Sequence, residues 1–137
     1  MIVNNMNDAP TLLHDCAPAR GRALVVALEG TRSNRSAIGA RVTVEAGGRA
    51  LIAEVRSGGS FVSQNDLRLH FGLGEAERMR VAVAWPSGGR DIVEAVAAGQ
   101  TITIREGAGI VQARPFRERA VLTPLARACS SQPTEQP

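Results

Sequence analysis

The stretch of residues 30–48 sets the pattern that most constrains the fold of this chain. It begins with a polar loop rich in Ser, Thr and Asn, which turn the chain by bonding nearby backbone groups. It then alternates, with Val42 and Val44 on one face and polar side chains on the other, as in a half-buried strand. Gly47 and Gly48 suit a two-residue hairpin turn, which requires positive φ angles. Short alternating segments separated by glycine recur downstream, so the pattern predicts an all-β module.

This alternation predicts about seven short antiparallel strands, arranged as a small β-sandwich or barrel. Residues 24–28 are apolar on both faces and are expected to form a central, covered strand. Residues 75–78 are compatible with one helical turn, whereas β-branched residues disfavour a helix at 93–98. Phe61, Phe71 and Trp85 are expected as the large core anchors. The residues expected to be buried by alternation are Val42, Val44, Leu69, Phe71, Val81, Val83, Trp85, Ile102 and Ile104.

The chain of 137 residues fits one domain with tails. We expect an arm at residues 1–20, a β domain at 21–106 and a largely disordered C-terminal tail at 107–137. The tail prediction depends on the polar, proline-containing end, which cannot bury enough apolar surface to order itself. Cys16 and Cys129 flank the β domain and match no metal spacing, and whether they are bridged stays open.

Charge and hydropathy exclude several classes of partner. The net charge is +3, all basic residues are arginine, and they alternate with acids without a basic block. This pattern predicts no nucleic-acid interface. No run of eighteen apolar residues occurs, so no membrane span is expected. Residues 1–13 lack the basic start and long apolar run of a signal peptide.

Candidate reactive groups are few, and the sequence predicts no catalytic residue. His70 lies on the polar face of its strand, and a general base needs a nucleophile within hydrogen-bond reach. The alternative is a pocket that brings His70 together with Asp66 or Ser60. Residues 58–62 resemble a nucleophile elbow but lack its final glycine. His14 is the second imidazole of the chain.

No metal or cofactor site is predicted either. The oxygen ligands of the arm are interrupted by Ala9 and lack the glycine that a calcium loop needs at its bend. Residues 72–77 lack the third glycine of a phosphate-binding loop, and two carboxylates lie where an anion would bind. Asn34 and Asn65 are interpreted as side chains that lock loops. The arm's oxygen ligands are Asn4, Asn5, Asn7, Asp8 and Asp15.

Four segments, taken in order, resemble the ASPIC/UnbV domain: GTRSNRSAIGARVTVEAGGR at 30–49, EVRSGGSFVSQNDLRLHFGLG at 54–74, VAVAWPSGG at 81–89 and QTITIRE at 100–106. The resemblance covers roughly residues 23–106. Residues 1–15 resemble the tail of an FG-GAP (VCBS-type) repeat, and such repeats build a β-propeller before the domain in this family. Members include cartilage acidic protein and bacterial secreted proteins, some encoded beside enediyne biosynthesis genes.

The resemblance implies a noncatalytic extracellular or periplasmic module for interaction or adhesion, the C-terminal part of a propeller protein. It carries over no catalytic residue and implies no cofactor. Expected partners are a protein or surface glycan and the chain's own missing propeller, with self-association through the N-terminal arm as a further expectation. The alternative function is an accessory factor or enzyme of secondary metabolism with an uncharacterised pocket.

Overall fold

The computed structural model describes residues 2–3, 5–12, 21–59 and 61–116. Within the arm, β1 (Ile2–Val3) and β2 (Thr11–Leu12) form an antiparallel hairpin. The Asn5 side-chain amide closes the polar turn between them by donating to the Ala9 carbonyl and the Thr11 hydroxyl, each at 2.8 Å. The hairpin and the following β domain are separate compact units.

The β domain contains eight strands in two four-stranded sheets and, among the described residues, no helix. The first sheet has the order β10-β9-β3-β6, and the second has the order β5-β4-β7-β8. The two sheets enclose an aliphatic core in a sandwich-like arrangement, which confirms the predicted all-β class. The strands are β3 (Arg22–Glu29), β4 (Arg41–Ala46), β5 (Arg49–Glu54), β6 (Leu69–Gly74), β7 (Arg78–Ala84), β8 (Arg90–Ala97), β9 (Gln100–Arg105) and β10 (Gly109–Pro115).

Two topological details differ from the expected antiparallel set. β3 and β9 pair in parallel, because the chain crosses from the second sheet to the first between β8 and β9 and arrives beside β3 in the same direction. β10 lies inside the segment assigned to the tail and pairs with β9, so the first sheet gains an edge strand. Residues 117–137, which include the predicted disordered end, lie outside the described residues.

The local expectations are mostly confirmed. Gly47 and Gly48 have φ angles of 55° and 74° and join β4 to β5 in a two-residue turn. The possible helical turn at 75–78 is wrong: Ala76 N–H donates to the Leu73 carbonyl in a turn, and β7 begins at Arg78. Residues 93–97 belong to β8, as their β-branched side chains favoured. No helix in the described part of the chain is long and apolar enough to cross a membrane.

The core follows the predicted alternation with two exceptions. Eight of the nine alternating residues expected inside are buried, and Leu69 is half-buried at the start of β6. Phe61 was expected as a core anchor, but it is 96% exposed. It lies in the loop between β5 and β6, which has no strand of its own to direct alternate side chains inward. The prediction for Phe61 is therefore wrong.

Candidate functional site

Glu106 carries the one buried polar or charged side chain among the described residues, with 4% of the residue exposed. It follows the last residue of β9, and its N–H donates to the Glu29 carbonyl at 2.9 Å. This bond continues the parallel β9–β3 pairing by one step and holds Glu106 at the end of the first sheet. A carboxylate taken out of water requires compensating donors, so its partners decide what the site can do.

Three successive backbone amides donate hydrogen bonds to this carboxylate. The N–H groups of Thr31, Arg32 and Ser33 each donate to Glu106 Oε2 at 2.8 Å. The Ser33 hydroxyl donates to Oε1 at 3.1 Å, and the Ser87 hydroxyl donates to the same oxygen. We call these five residues the Glu106 cluster. Successive amides that converge on one point form an anion-binding concavity, which the chain here fills with its own carboxylate.

The electrostatic balance keeps Glu106 ionised. Burial acts to raise the pKa of its carboxyl group, but the hydrogen bonds from Ser33, Ser87, Thr31 and Arg32 outweigh it and lower the pKa from 4.5 to about 2. A carboxylate with so low a pKa is a poor proton acceptor at neutral pH, so it does not activate the two serine hydroxyls beside it. The arrangement is suited to holding a loop in place.

The loop at residues 30–40 is built to present those amides. A Cβ at Gly30 would lie 2.2 Å from the Asn34 carbonyl oxygen, so the chain turns more tightly there than any side chain allows. The Asn34 side chain accepts from Ile38 N–H and donates to the Ile38 carbonyl, both at 2.8 Å. The interpretation of Asn34 as a loop-locking side chain is confirmed. Ala37, fully buried with a φ of 53°, fixes the loop on the core.

A second carboxylate braces the same end of the domain. Asp91 Oδ2 accepts from Trp85 Nε1 at 2.7 Å and from Gly107 N–H at 2.8 Å. Asp91 therefore links the core tryptophan to the residue that follows Glu106. The turn after Trp85 places Ser87, whose N–H donates to the Ser33 hydroxyl at 3.2 Å. Hydrogen bonds thus connect the loop at residues 30–40, the turn after β7 and the end of β9.

The candidate acid–base residues do not join this cluster. Asp66 lies beside Arg68, whose guanidinium Nε is 3.0 Å from Oδ1 and 2.9 Å from Oδ2. The hydrogen bonds from Arg68 lower the pKa of Asp66 to about 2. His70 is exposed on β6, and its side chain makes no hydrogen bond within the described part of the chain. Ser60 lies outside the described residues.

The remaining candidate ligands are also placed. Asp8 caps its own turn by accepting from Ala9 N–H at 2.7 Å, and Asn5 closes the hairpin. Asn65 lies in the β5–β6 loop, where its carbonyl accepts from Gln64 at 2.8 Å. Over the ranges that the structure describes, no group of three His, Cys, Asp or Glu residues is placed to hold a metal ion. Asn4, His14, Asp15, Cys16 and Cys129 lie outside those ranges.

Sequence reasoning missed Glu106 as the centre of the site. A polar Ser/Thr loop was visible, and Glu106 ends the fourth resemblance segment, but nothing local connects them. The bonds between Glu106 and residues 31–33 span 73 to 75 residues, so only the parallel pairing of β9 with β3 brings them together. The conspicuous Gly72-Leu73-Gly74 run proved to be part of β6.

The fold and the Glu106 cluster define a β-sandwich module in which an internal carboxylate fixes the loop at residues 30–40. A comparison with protein-family models matches residues 30–111 to the family described as ASPIC and UnbV. The match covers more than half of the chain, so the chain belongs to the ASPIC and UnbV family. Comparisons with curated proteins and with solved structures returned no match.

Proposed function

We propose that this chain is a noncatalytic extracellular binding module, the C-terminal part of an FG-GAP propeller protein. The observation that carries the proposal is the Glu106 cluster. Three of the four segments that resemble the family contribute to it, and in it polar groups satisfy one another. Both Glu106 oxygens accept several bonds, and both serine hydroxyls are engaged. Motif residues used in this way stabilise a scaffold whose surface is then free to bind.

Family membership supports the module reading, and the arm supports the propeller context. β1 and β2 form a two-stranded hairpin closed by Asn5, and an isolated hairpin of this length is marginal without further strands. We propose that the strands of a preceding propeller cover it, and that the whole protein is extracellular or periplasmic. Its partners are then a protein or a surface glycan, together with the propeller itself.

The competing function, an accessory factor or enzyme of secondary metabolism, would place His70, Asp66 or Ser60 near a pocket; Ser60 lies outside the described residues, and the structure bears on the pair of Asp66 and His70. The short contacts between Asp66 and Arg68 occupy both oxygens of that carboxylate. Bound and depressed in pKa, Asp66 neither orients His70 by a hydrogen bond nor takes up a proton at neutral pH. The binding function is therefore the better supported of the two.

The test begins with the reading frame upstream of this chain, which we expect to encode FG-GAP repeats and an export signal. The encoded propeller, expressed separately, is the probe. Surface plasmon resonance should detect its binding to the immobilised chain, and His70→Ala and Asp66→Asn should bind it equally well. An upstream frame that encodes no propeller would contradict the propeller context. A propeller that fails to bind while the chain remains folded would contradict its role as partner.

A further inference from the structure

The outer face of the second sheet carries three parallel rows of side chains that cross all four strands. Strand register places Ile52, Thr43, Ala82 and Ile92 in the middle row. Ile52 is 64% exposed and Ile92 is 53% exposed, although both lie in regular strands. Two exposed isoleucines in one row, joined by the half-buried Thr43 and Ala82, form an apolar strip of the kind found at docking surfaces. We call these three rows the outer face.

The two flanking rows carry opposite net charge. On one side the register aligns Ala50, Glu45 and Arg80. Glu94 lies beside Arg80 at a β-bulge between β7 and β8, and Arg80 bridges Glu45 at 3.2 Å and Glu94 at 2.8 Å. One arginine against two carboxylates leaves this row negative. On the other side the register aligns Glu54, Arg41, Ala84 and Arg90, which leaves that row positive.

The arginines of the positive row have no partner in this domain. Neither Arg41 nor Arg90 makes an ion pair within the described residues, while Glu54 pairs with Arg56 at 3.5 Å. The small side chains of Ala82 and Ala84 leave a depression of about 420 Å³ between the arginines and the isoleucines. The surface therefore offers a middle apolar row, an open depression and two free cations.

We propose that the outer face binds a second copy of this chain in an isologous dimer. A two-fold axis laid along the middle row exchanges the two flanks, because rotation about that row carries the positive side onto the negative side. Strand by strand, Arg41 of the second copy then lies over Glu45 and Arg90 over Glu94. Ala84 lies over Arg80, where a third arginine would be repelled, and Glu54 lies over Ala50. Opposite charges thus meet at β4 and β8, and at β5 and β7 a charged residue faces an alanine, so no strand brings like charges together.

The same axis also satisfies sheet packing. It brings two sheets face to face with their strands aligned, and twist opens such pairs to roughly 30°. That rotation offsets the isoleucines of the two copies so that they interleave over the alanine depressions. Four strands of about six residues present roughly 20 by 20 Å. Two such faces bury roughly 800 Å² in total, below the ~1,200–2,000 Å² of stable interfaces and in the range of weak, transient ones. We therefore expect a dissociation constant on the order of 100 µM or weaker.

Sedimentation velocity of the full chain from 10 µM to 1 mM tests the dimer. We expect concentration-dependent dimerisation, at least tenfold weaker in Ile92→Glu, since the axis brings two such glutamates close together. Val111→Glu, an exposed apolar position on β10, is the matched control and should dimerise normally. Met6→Glu, in the turn of the N-terminal hairpin, controls for association through the arm and should also dimerise normally. Circular dichroism confirms that each variant is folded.

A charge exchange tests the two-fold register. Arg90→Glu and Glu94→Arg should each weaken dimerisation, and the double variant should restore it, because Arg90 of one copy faces Glu94 of the other. A chain that is monomeric at 1 mM would overturn the proposal, as would a dimer insensitive to Ile92→Glu or a double variant no better than the single ones. None of these results bears on binding of the propeller, which is a separate measurement on a different partner.

Discussion

Ser33 and Glu106 lie 73 residues apart in the sequence and are joined by two hydrogen bonds, from the Ser33 N–H to Oε2 at 2.8 Å and from its hydroxyl to Oε1 at 3.1 Å. One residue thus donates from its backbone and its side chain to the two oxygens of one carboxylate. This contact connects the loop at residues 30–40, which follows β3, to the end of β9, which pairs with β3. Its removal should therefore loosen the end of the domain rather than a single turn.

Glu106→Gln should destabilise the domain strongly. The amide is isosteric but neutral, and its NH₂ group must face either the three backbone donors or the two hydroxyl donors. We expect the thermal midpoint, measured by circular dichroism, to fall on the order of 10 °C. Glu29→Gln, which removes an exposed pairing with Arg105, is the matched control and should shift it far less. Equal midpoints for the two variants would contradict the role assigned to the cluster.

The stability of the domain should fall in acid because of Glu106. Its folded-state pKa is depressed from 4.5 to about 2, so its contribution is complete above the unfolded value and is lost as pH falls from 4.5 towards 2. Urea midpoints at pH 7, 4 and 2 should show this loss in the native chain and a flatter profile in Glu106→Gln. Asp66 titrates in the same window but is exposed, so Asp66→Asn should retain most of the pH dependence.

Gly30→Ala should disrupt the loop that carries the amide donors. Its Cβ would lie 2.2 Å from the Asn34 carbonyl oxygen, which is backbone and cannot rotate away. We expect a loss of about 2–4 kcal/mol in the free energy of unfolding. Gly72→Ala is the control, because a Cβ there meets nothing within 4 Å and lies in a strand. Chemical denaturation of both variants measures this loss. A Gly30→Ala variant as stable as Gly72→Ala would contradict the need for glycine at position 30.

The Trp85 side chain should report core packing and its bond to Asp91 separately. Trp85→Ala should cost about 3–5 kcal/mol, since the side chain is buried among aliphatic residues. Trp85→Phe keeps most of the packing but removes the donor to Asp91. The lost hydrogen bond should lower the free energy of unfolding by about 1–2 kcal/mol, beyond the loss that the smaller side chain causes. Asp91→Asn keeps an acceptor for the Trp85 N–H but removes the charge, so it separates the hydrogen bond from the electrostatic contribution of the carboxylate. As the one tryptophan of the chain, Trp85 should emit at a short wavelength, and solvent-like emission would contradict its burial.

Phe61 and Phe71 should respond oppositely to truncation. Phe61 is almost fully exposed, so Phe61→Ser should change the free energy of unfolding by no more than about 0.5 kcal/mol. Phe71 is buried on β6, so Phe71→Ala should cost about 3–5 kcal/mol. Denaturant titration of both variants tests the corrected assignment. A large loss for Phe61→Ser would contradict the exposure of Phe61.

The sequence by itself determined the strands of the domain, with β10 as the exception, and the faces that they bury. Alternation with a period of two dictates that Val42, Val44, Val81 and Val83 share an inward face, and paired positive-φ glycines dictate the turn at Gly47 and Gly48. These are local properties, carried by neighbouring residues. The same logic failed at Phe61, because alternation has meaning only inside a strand, and the β5–β6 loop has none around that residue.

Tertiary structure alone decided which polar groups meet. The parallel pairing of β9 with β3 requires the chain to cross between sheets after β8, and no residue near Glu106 encodes that crossing. Once the chain has crossed, the buried Glu106 carboxylate needs hydrogen-bond donors from the neighbouring loops, since a carboxylate without donors would destabilise the folded state. The opposed rows of the outer face likewise exist only after strand register is set. Hydrophobic periodicity can be recognised from residues adjacent in the sequence. Electrostatic complementarity depends on charged and polar groups that are distant in the sequence and meet only in the folded chain.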